Sequence, residues 1–525
     1  MATSHSNGTP ATAQSQGYRD RPSPLAMTTE AYHRAALLAA EIAAEFYASR
    51  GQRPVYSPPS SEALASLRAL ALPEQGMPAE EVLAFFAASV MPYDMGNQAP
   101  GFAAWVNPAA APVSYLLDYL ASVMNPTSAK GLHAATEVER LLIRWLDELI
   151  GFPTEEQGSG GIFVNGGSLA NFHGLAAALH WAGTLYDWDT TQQGIQGRHP
   201  RFVLYGSEEV HSCVAKSVRL LGLGLQAYRR IPTDGSYRLD LEALEAAIER
   251  DREAGFWPFA VVASAGTVNT GAVDPLPRVA DLCKEQGLWL HVDGAFGWPG
   301  FLDPHLAHLY GDGLARADSL ALDGHKWLAA SNTCSVTLVR HRDMLEGAFG
   351  FAAAYLELTD DAHSFGAGMR FDQLGLYQTR HFLSAKLLGI LLQLGRRGLQ
   401  EHIVRHTSLA RYMMDRVRAV QDMELVAETD LTVVCFRFCP PSLRGNEPAL
   451  NELNQRIVRQ LMRGGEPAFV GGTHLPDGRY AIRSCALHYN LCEEHIETIL
   501  AVVRRVGALC LVGEPLAIAH GEGEL

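Results

Sequence analysis

Residues 288–296 read Leu-Trp-Leu-His-Val-Asp-Gly-Ala-Phe, and residues 319–327 read Ser-Leu-Ala-Leu-Asp-Gly-His-Lys-Trp. Each stretch is a short apolar run that ends at an aspartate followed by a glycine. Similar runs recur between residues 151 and 345, and segments of helical periodicity separate them; the runs lie at 202–205, 259–263 and 335–339, and the helical segments at 211–222, 241–254 and 275–287. Apolar strands that alternate with helices indicate a mostly parallel sheet covered on both faces. The sequence therefore predicts an α/β unit.

The pattern changes on either side of this unit. Residues 135–150 carry apolar side chains at helical spacing, and a long helical stretch covers 376–420. Beyond it, a smaller α+β region is indicated by strands near 432–438 and 480–487 and helices near 449–463 and 492–506. We expect five segments: a disordered tail at 1–27, a helical segment of two or three helices at 28–110, a large domain at 111–395, a small domain at 396–510 and a second tail at 511–525.

Composition narrows the class of protein. Hydrophobic residues make up 47% of the chain and charged residues 19%, as in globular proteins. The formal charge of −15 argues against a nucleic-acid partner and against an anionic membrane surface, because both require a basic face. We see no bilayer-length apolar run and no signal peptide, so we expect a cytoplasmic protein. The eight cysteines form no CxxC pair, and we expect neither a disulfide framework nor a metal site.

Two segments suit the binding of a phosphorylated, aromatic cofactor. A turn reading Asn-Gly-Gly-Ser-Leu-Ala-Asn at 165–171 precedes a predicted helix. Free backbone N–H groups and the positive end of a helix dipole can hold a phosphate there, with the Ser168 hydroxyl nearby. His211 opens a second helix, and its flat ring could cover one face of an aromatic cofactor. The two segments are also consistent with an ordinary capped turn and an ordinary histidine at a helix start.

Asp293 and Lys326 lie where strands of the predicted sheet end. A carboxylate at the end of a buried strand needs a cationic partner, and a protonated pyridine nitrogen would be one; a helix cap or a salt bridge is the alternative. Lys326 is one of five lysines, and its apolar flanks would lower its pKa and favour a nucleophilic amine. A purely structural Lys326 would pair with Asp323. We expect the other lysines to be solvated, namely Lys130, Lys216, Lys284 and Lys386.

The order of these signals resembles that of the group II pyridoxal-phosphate-dependent decarboxylases, which include aromatic-L-amino-acid, histidine and glutamate decarboxylases. The resemblance covers roughly residues 80–505. Besides the segments quoted above, the matching stretches are Ala-Thr-Glu-Val-Glu at 135–139, Trp-Leu at 145–146, Gly-Phe-Pro at 151–153, His-Ser at 211–212 and Ala-Gly-Thr-Val-Asn-Thr-Gly-Ala-Val-Asp-Pro at 265–275.

The resemblance implies a type I aminotransferase-like fold with a seven-stranded, mostly parallel sheet in the large, cofactor-binding domain. It also implies a homodimer with active sites at the subunit interface, in which residues 28–110 serve dimerisation. Pyridoxal 5'-phosphate would be the cofactor, held by Lys326 as a Schiff base. The other cofactor-binding residues that the resemblance implies are Gly167 and Ser168 at the phosphate, Asp293 at the ring nitrogen, His211 and Ala295 on opposite ring faces, Asp323 close by and, less directly, Thr267.

The resemblance also implies a proton donor on a mobile loop. The segment Phe-Gly-Phe-Ala-Ala-Ala-Tyr-Leu at 349–356 is similar to that loop, which makes Tyr355 the candidate general acid, assisted by His211. The glycine- and aspartate-rich run at 359–369 suits a lid. Two stretches depart from the family pattern. Residues 370–386 follow its arginine-rich helix start only loosely, and residues 100–108 keep aromatic character without matching a specific relative.

The expected reaction is decarboxylation of an L-amino acid to the amine and CO₂ through a quinonoid carbanion. Phe102 and Trp105 suggest a pocket for an aromatic side chain, although either could belong to the core. A carbon–carbon lyase and an aldehyde-forming oxidative decarboxylase are alternatives that keep the cofactor. A catalytically silent, dimeric binding homologue is a third, and the presence of Lys326, Asp293 and His211 argues against it.

Overall fold

A computed structural model of the chain describes residues 23–197, 201–351 and 368–512. The described residues divide into two compact units, one within 23–52 and 58–94 and the other within 53–57 and 95–512. The described residues contain no helix with the length and hydropathy of a membrane span.

The first unit is helical, as the sequence predicts. Its helices are α1 (Thr29–Ser49), α2 (Ser61–Arg68) and α3 (Ala79–Ser89). The hydroxyls of Thr28 and Ser60 accept backbone N–H bonds at the starts of α1 and α2, which satisfies donors that a helix start otherwise leaves free. Both helices therefore begin at a capping residue that the sequence supplies.

The second unit begins with α4 (Pro112–Met124) and α5 (Ala134–Ile150). Helix α5 matches its predicted bounds, and it ends at Gly151, whose φ of 76° is the left-handed conformation that glycine adopts without strain. Its buried face is not purely apolar, because the carboxylates of Glu139 and Asp147 are buried there as well. Burial raises the pKa of Asp147 to about 8, although its contact with the Ser159 hydroxyl opposes the shift.

The large sheet has seven strands in the order β1-β7-β6-β5-β4-β2-β3. Strand β7 is antiparallel to both of its neighbours, and the other six strands run in one direction. The strands are β1 (Gly160–Val164), β2 (Phe202–Ser207), β3 (Tyr228–Ile231), β4 (Trp257–Ser264), β5 (Trp289–Asp293), β6 (Ser319–Asp323) and β7 (Ser335–Val339). The helices between them are α6 (Gly167–Leu185), α7 (Ser212–Leu220), α8 (Leu241–Glu253), α9 (Leu276–Gln286), α10 (Ala307–Tyr310) and α11 (Gly313–Arg316); α12 (Arg342–Phe349) follows β7.

Two of these strands carry weak sequence signals. Strand β1 begins with two glycines, and the edge strand β3 has the sequence Tyr-Arg-Arg-Ile, with two charged residues in four. Glycine weakens a strand pattern, and charge is common on edge strands, so the apolar runs do not reveal either one. The mostly parallel, seven-stranded sheet itself is confirmed.

The C-terminal part of the second unit contains a four-stranded antiparallel sheet in the order β10-β11-β9-β8. Its elements are β8 (Met423–Ala427), β9 (Val433–Phe438), α14 (Glu447–Leu461), β10 (Gly471–His474), β11 (Tyr480–Cys485) and α15 (Glu493–Val512). Strands β8 and β10 were not expected from the sequence. The α+β character of the region is confirmed.

The long helix α13 (Ser384–Ala419) starts later than its predicted position at 376, and Gly395 interrupts it with a φ of 59°. The residues before it are held in another conformation by tertiary bonds. Arg380 donates to the carbonyls of Ser128 (2.6 Å) and Phe163 (2.7 Å) and forms a buried ion pair with Glu139. Burial raises the pKa of Glu139 even though Arg380 opposes the shift. This buried network ties the segment before α13 to β1.

Replacing Arg380 by Met should destabilise the protein by about 3–5 kcal/mol, because it leaves the Glu139 carboxylate buried without a cationic partner. Urea unfolding followed by circular dichroism would measure the change. Arg418→Met is the matched control, since Arg418 pairs with Asp415 and Glu428 at the surface, and it should cost no more than about 1 kcal/mol. Equal midpoints for the two variants would contradict the role of the buried pair.

Candidate active site

A cavity of about 540 Å³ lies where β1, β4, β5 and β6 end. Ligands of open α/β sheets bind at this edge, outside the carboxyl ends of the strands. Most of the residues that the sequence analysis singled out line it: Trp105, Gly167, Ser168, His211, Thr267, Asp293, Ala295, Asp323 and Lys326. Residues as distant in the chain as Trp105 and Lys326 thus meet in one site, which we call the site cavity.

The turn after β1 presents the start of α6 to the site cavity. Gly166 has a φ of 95°, and a Cβ on Gly167 would lie 2.7 Å from an Asp323 carboxylate oxygen, so the close approach requires glycine there. The Asn171 amide donates to the Gly167 carbonyl at 2.8 Å. These contacts fix backbone N–H groups at a helix N-terminus, an arrangement that can hold a phosphate.

The buried His291 supports this turn through Asn171, a role that the sequence analysis missed. His291 donates from Nε2 to Oδ1 of Asn171 at 2.8 Å, and its Nδ1 accepts from the Ser319 hydroxyl at 2.7 Å. Burial lowers the pKa of His291 to about 3, so the ring stays neutral and can donate and accept at the same time. The clue in the sequence is a histidine inside an otherwise apolar strand.

Asp293 ends β5, and 8% of its surface is exposed. One carboxylate oxygen accepts the Ala295 backbone N–H at 3.1 Å. Within the described parts of the chain, no ion pair joins Asp293 to a lysine, arginine or histidine within 4.0 Å. A buried carboxylate at a cavity wall without a cationic side chain fits a cation supplied by a ligand, such as a protonated pyridine nitrogen.

Lys326 forms an ion pair with Asp323, its Nζ lying 3.0 Å from the carboxylate, and about a quarter of the lysine side chain is exposed. The Ser335 hydroxyl donates to the other oxygen of Asp323 at 2.5 Å. Burial by itself would lower the pKa of Lys326, but the charges of Asp323 and Asp293 outweigh it and raise that pKa. The prediction that apolar flanks lower the pKa of this amine is therefore wrong. The flanking sequence did not show that two carboxylates would face the amine.

His211 caps a helix and also lines the site cavity. Its Nδ1 accepts the Cys213 backbone N–H at 3.2 Å and so caps α7, while the residue is exposed and lines the site cavity. Partial burial lowers the pKa of His211; Asp293 opposes the shift and Lys326 adds to it. Because Nδ1 is an acceptor, the neutral ring carries its proton on Nε2, where it is available as a donor.

Arg483 is a lining residue that sequence reasoning missed. It lies in β11, 7% of its surface is exposed, and its Nε donates to the carbonyls of Val268 (3.1 Å) and Asn269 (3.2 Å). Among the described residues, no carboxylate pairs with it within 4.0 Å. A buried guanidinium without an acidic partner suits an anionic ligand. The signal was an arginine in the middle of an apolar strand.

The two aromatic residues proposed for the substrate pocket have different positions. Trp105 lines the site cavity and is 48% exposed. Phe102 is a core residue instead, only 4% exposed, and its ring stacks on Phe469 with 5.4 Å between centroids. In a single chain Phe102 is absent from the lining of this cavity. Tyr355, the candidate general acid, lies outside the described residues.

Lys386 corrects the expectation that every other lysine is solvated. Its side chain is 4% exposed, and Nζ contacts the Asn332 carbonyl at 2.9 Å and the Asp118 carboxylate at 3.3 Å. Asn332 is 54 residues from Lys386 in the chain and Asp118 is much farther, so no local sequence pattern predicts the burial. The chain thus has a second buried lysine, but it is committed to structural bonds away from the site cavity.

The residues of the site cavity fit pyridoxal phosphate. An amine that can bind an aldehyde, a carboxylate without a cationic partner and a glycine-rich helix start face one space. Among the described residues that line the cavity, Lys326 is the only lysine, and Asp293 is the only carboxylate without an ion pair. The geometry therefore supports the cofactor that the sequence resemblance implies.

Comparisons with known proteins agree with this geometry. The model of the pyridoxal-dependent decarboxylase conserved domain matches residues 61–439. Aromatic-L-amino-acid decarboxylase of Bacillus atrophaeus is 29% identical over 465 residues, 88% of this chain and 92% of that protein. Cysteine sulfinic acid decarboxylase of Rattus norvegicus is 32% identical over 379 residues, 70% of this chain and 74% of that protein. The crystal structure of Oryza sativa TDC with PLP and tryptamine has a TM-score of 0.84 and 26% identity, and the match covers 93% of this chain and 99% of that one.

The structural likeness confirms the predicted fold class, and the family model spans well over half of the chain. The chain belongs to the family of pyridoxal-dependent decarboxylases, and pyridoxal phosphate is its cofactor.

Proposed function

We propose that the protein decarboxylates an aromatic L-amino acid to the corresponding amine and CO₂. The observation that carries the proposal is the position of Lys326 and Asp293 on the wall of one cavity, with the unpaired Arg483 guanidinium on the same wall. The carboxylates of Asp293 and Asp323 lie near the Lys326 amine, and the Arg483 guanidinium is available to bind an anion. An amino-acid zwitterion has the complementary pair of charges.

We propose a cofactor-binding role for each of several residues that line the site cavity. Lys326 would hold the cofactor covalently, Asp293 would keep its ring nitrogen protonated, and the turn of Gly167 and Ser168 would bind its phosphate. His211 and Ala295 would contact the ring. When bound, pyridoxal phosphate supplies an electron sink for the bond that breaks. The protein's own contribution is to orient that bond and to manage charge and protons around it.

Arg483 is our candidate for binding the α-carboxylate of the substrate before it is lost. Its Nε is engaged by two carbonyls, which leaves the terminal nitrogens for the paired hydrogen bonds that a carboxylate accepts. A proton must return to the substrate carbon after CO₂ leaves. We assign this donation to Tyr355, and His211 assists because its neutral ring carries a proton on Nε2.

The lining of the site cavity favours an aromatic substrate side chain over an acidic one. Arg483 is the only arginine among the described lining residues, and the α-carboxylate would use it. A second carboxylate on the substrate would then lack a guanidinium partner, which makes its burial costly. Trp105, half-exposed at the cavity, offers an apolar face for a flat ring.

We also propose a homodimer with the active sites at the subunit interface. One face of α4 supports it, because Leu116, Leu120 and Val123 recur at helical spacing and each is more than half exposed. Exposed apolar stripes of this kind mark association surfaces. A second copy of the chain is the occupant that we assign to this face, with residues 28–110 adding to the interface. We further propose that each subunit consists of a large domain at 111–395 and a small domain at 396–510.

Lys326→Ala should lower turnover at least about a thousandfold, because it removes the covalent attachment of the cofactor. CO₂ release would measure this, and borohydride should no longer attach the cofactor to the protein. Lys284→Ala, an exposed lysine on α9, is the control and should behave as wild type. Near-normal turnover by the Lys326 variant without added amine would refute the assignment.

An aromatic substrate predicts a clear order in a panel of L-amino acids. L-Tryptophan, L-tyrosine and L-phenylalanine should exceed L-glutamate and L-cysteine sulfinate by at least about tenfold in kcat/KM, because an acidic side chain would be buried without a cation. Amine and CO₂ should form in equal amounts. A preference for either acidic substrate would overturn the aromatic assignment, and release of aldehyde and ammonia would overturn simple decarboxylation.

The double variant Leu116→Glu and Leu120→Glu should convert the dimer to monomers and abolish turnover, because it places charge in a desolvated interface. Sedimentation velocity would measure the mass. Leu220→Glu is the matched control, since Leu220 is a 77% exposed leucine on α7, away from this face. The proposal fails if the wild-type protein sediments as a monomer or if the double variant remains dimeric and active.

A further inference from the structure

A polar cluster behind Arg483 joins the loop after β4 to the four-stranded sheet. We propose that Asn269, together with Glu209 and Thr473, positions the Arg483 guanidinium for the α-carboxylate of the substrate. Asn269 is a positioning residue in this account, because it acts through Arg483. The inference rests on the proposed function, which assigns the carboxylate to that arginine.

The backbone of Asn269 contacts Arg483 directly. Its carbonyl accepts the Arg483 Nε at 3.2 Å, beside the Val268 carbonyl at 3.1 Å, and it also accepts from the Cys435 thiol at 3.3 Å. Two adjacent carbonyls therefore set the direction of the guanidinium. Any movement of the loop at 268–269 would move the charged group with it.

The side chain of Asn269 holds this loop in place at both ends of its amide. Its Nδ2 donates to the Glu209 carboxylate at 2.9 Å, and its Oδ1 accepts from the Thr473 hydroxyl at 2.5 Å. Glu209 follows β2 in the large sheet, whereas Thr473 lies in β10, next to the strand that carries Arg483. Asn269 thus bridges two sheets whose relative position decides where Arg483 stands.

The rest of the loop is rigid enough to transmit this restraint. The Thr267 hydroxyl lies 3.0 Å from that of Thr270 and also accepts the Ala272 backbone N–H at 3.0 Å. Gly266 and Gly271 have positive φ values of 103° and 76°, which closes the loop tightly. With its base fixed, the tip of the loop is held by the Asn269 amide and by the bonds that its carbonyls accept.

Glu209 serves as an anchor without neutralising Arg483. It is 4% exposed, and burial raises its pKa, whereas the bond from Asn269 opposes the shift. No ion pair joins it to Arg483 within 4.0 Å in the described residues. The guanidinium is consequently oriented by neutral carbonyls, and its full charge is left for a ligand.

This arrangement predicts an effect confined to recognition of the carboxylate. With the most reactive L-amino acid of the panel, Asn269→Ala should raise KM about five- to tenfold and leave kcat within about twofold. The inhibition constant of the product amine, which lacks the carboxylate, should stay within about twofold. Calorimetric binding of the same amino acid to Lys326→Ala protein, which does not turn it over, should show the same loss when Asn269→Ala is added.

Three further variants separate positioning of Arg483 from general damage to the protein. Glu209→Gln keeps an oxygen that accepts the Asn269 N–H and should behave as wild type, whereas Glu209→Ala should resemble Asn269→Ala. Asn451→Ala is the matched control, because this asparagine also bridges to β11, through the Tyr480 N–H at 2.8 Å, but lies outside the site cavity lining. It should leave KM unchanged.

A double-mutant cycle decides the mechanism. In the Arg483→Met background, Asn269→Ala should add less than about twofold to KM, since the group that it positions is gone. Multiplicative effects of the two changes, an equal loss of affinity for the amine, or an unchanged KM in Asn269→Ala would each overturn the inference while decarboxylation itself persists. If the wild-type protein releases no CO₂ from any amino acid of the panel, the proposed function fails and this inference fails with it.

Discussion

The placement of two carboxylates around one amine is the constraint on which the site depends. Parallel pairing of β5 with β6 sets Asp293 beside Ala321, two residues before Asp323, so both acids reach the same end of the sheet as Lys326. Burying such charges is costly unless they compensate one another. Asp323 is already paired with the amine and with Ser335, whereas Asp293 has only a backbone donor within the described part of the chain. The imbalance leaves one negative charge for a cationic ligand group.

The antiparallel strand β7 makes the other half of this arrangement possible. It separates β1 from β6 in the sheet, and its Ser335 lies opposite both Val164, the last residue of β1, and Asp323. The turn after β1 therefore comes close enough for Gly167 to contact the Asp323 carboxylate. A side chain at that position would force the turn after β1 away from Asp323. The position of the Asp323 carboxylate thus requires glycine at residue 167.

Sequence reasoning reached the residues that follow strands of a single sheet, because the ends of parallel strands must meet. Asp293, Lys326, Ser168 and His211 carried such local signals. Arg483 did not, since it comes from β11 of a different sheet, and only the packing of the two sheets brings it to the cavity. The burial of Lys386 and the raised pKa of Lys326 depend on partners distant in the chain, and apolar flanking residues gave the wrong sign for that pKa.

This division between the two sheets gives the site a polarity that suits an amino acid. The large sheet supplies the carboxylates and the amine, and the four-stranded sheet supplies the guanidinium. Substrate amine and substrate carboxylate would accordingly contact parts of the molecule that are joined by few bonds near the site, those through Asn269 among them. Because a guanidinium–carboxylate pair tolerates little change in direction, the relative position of the two sheets would set how well the substrate carboxylate is bound.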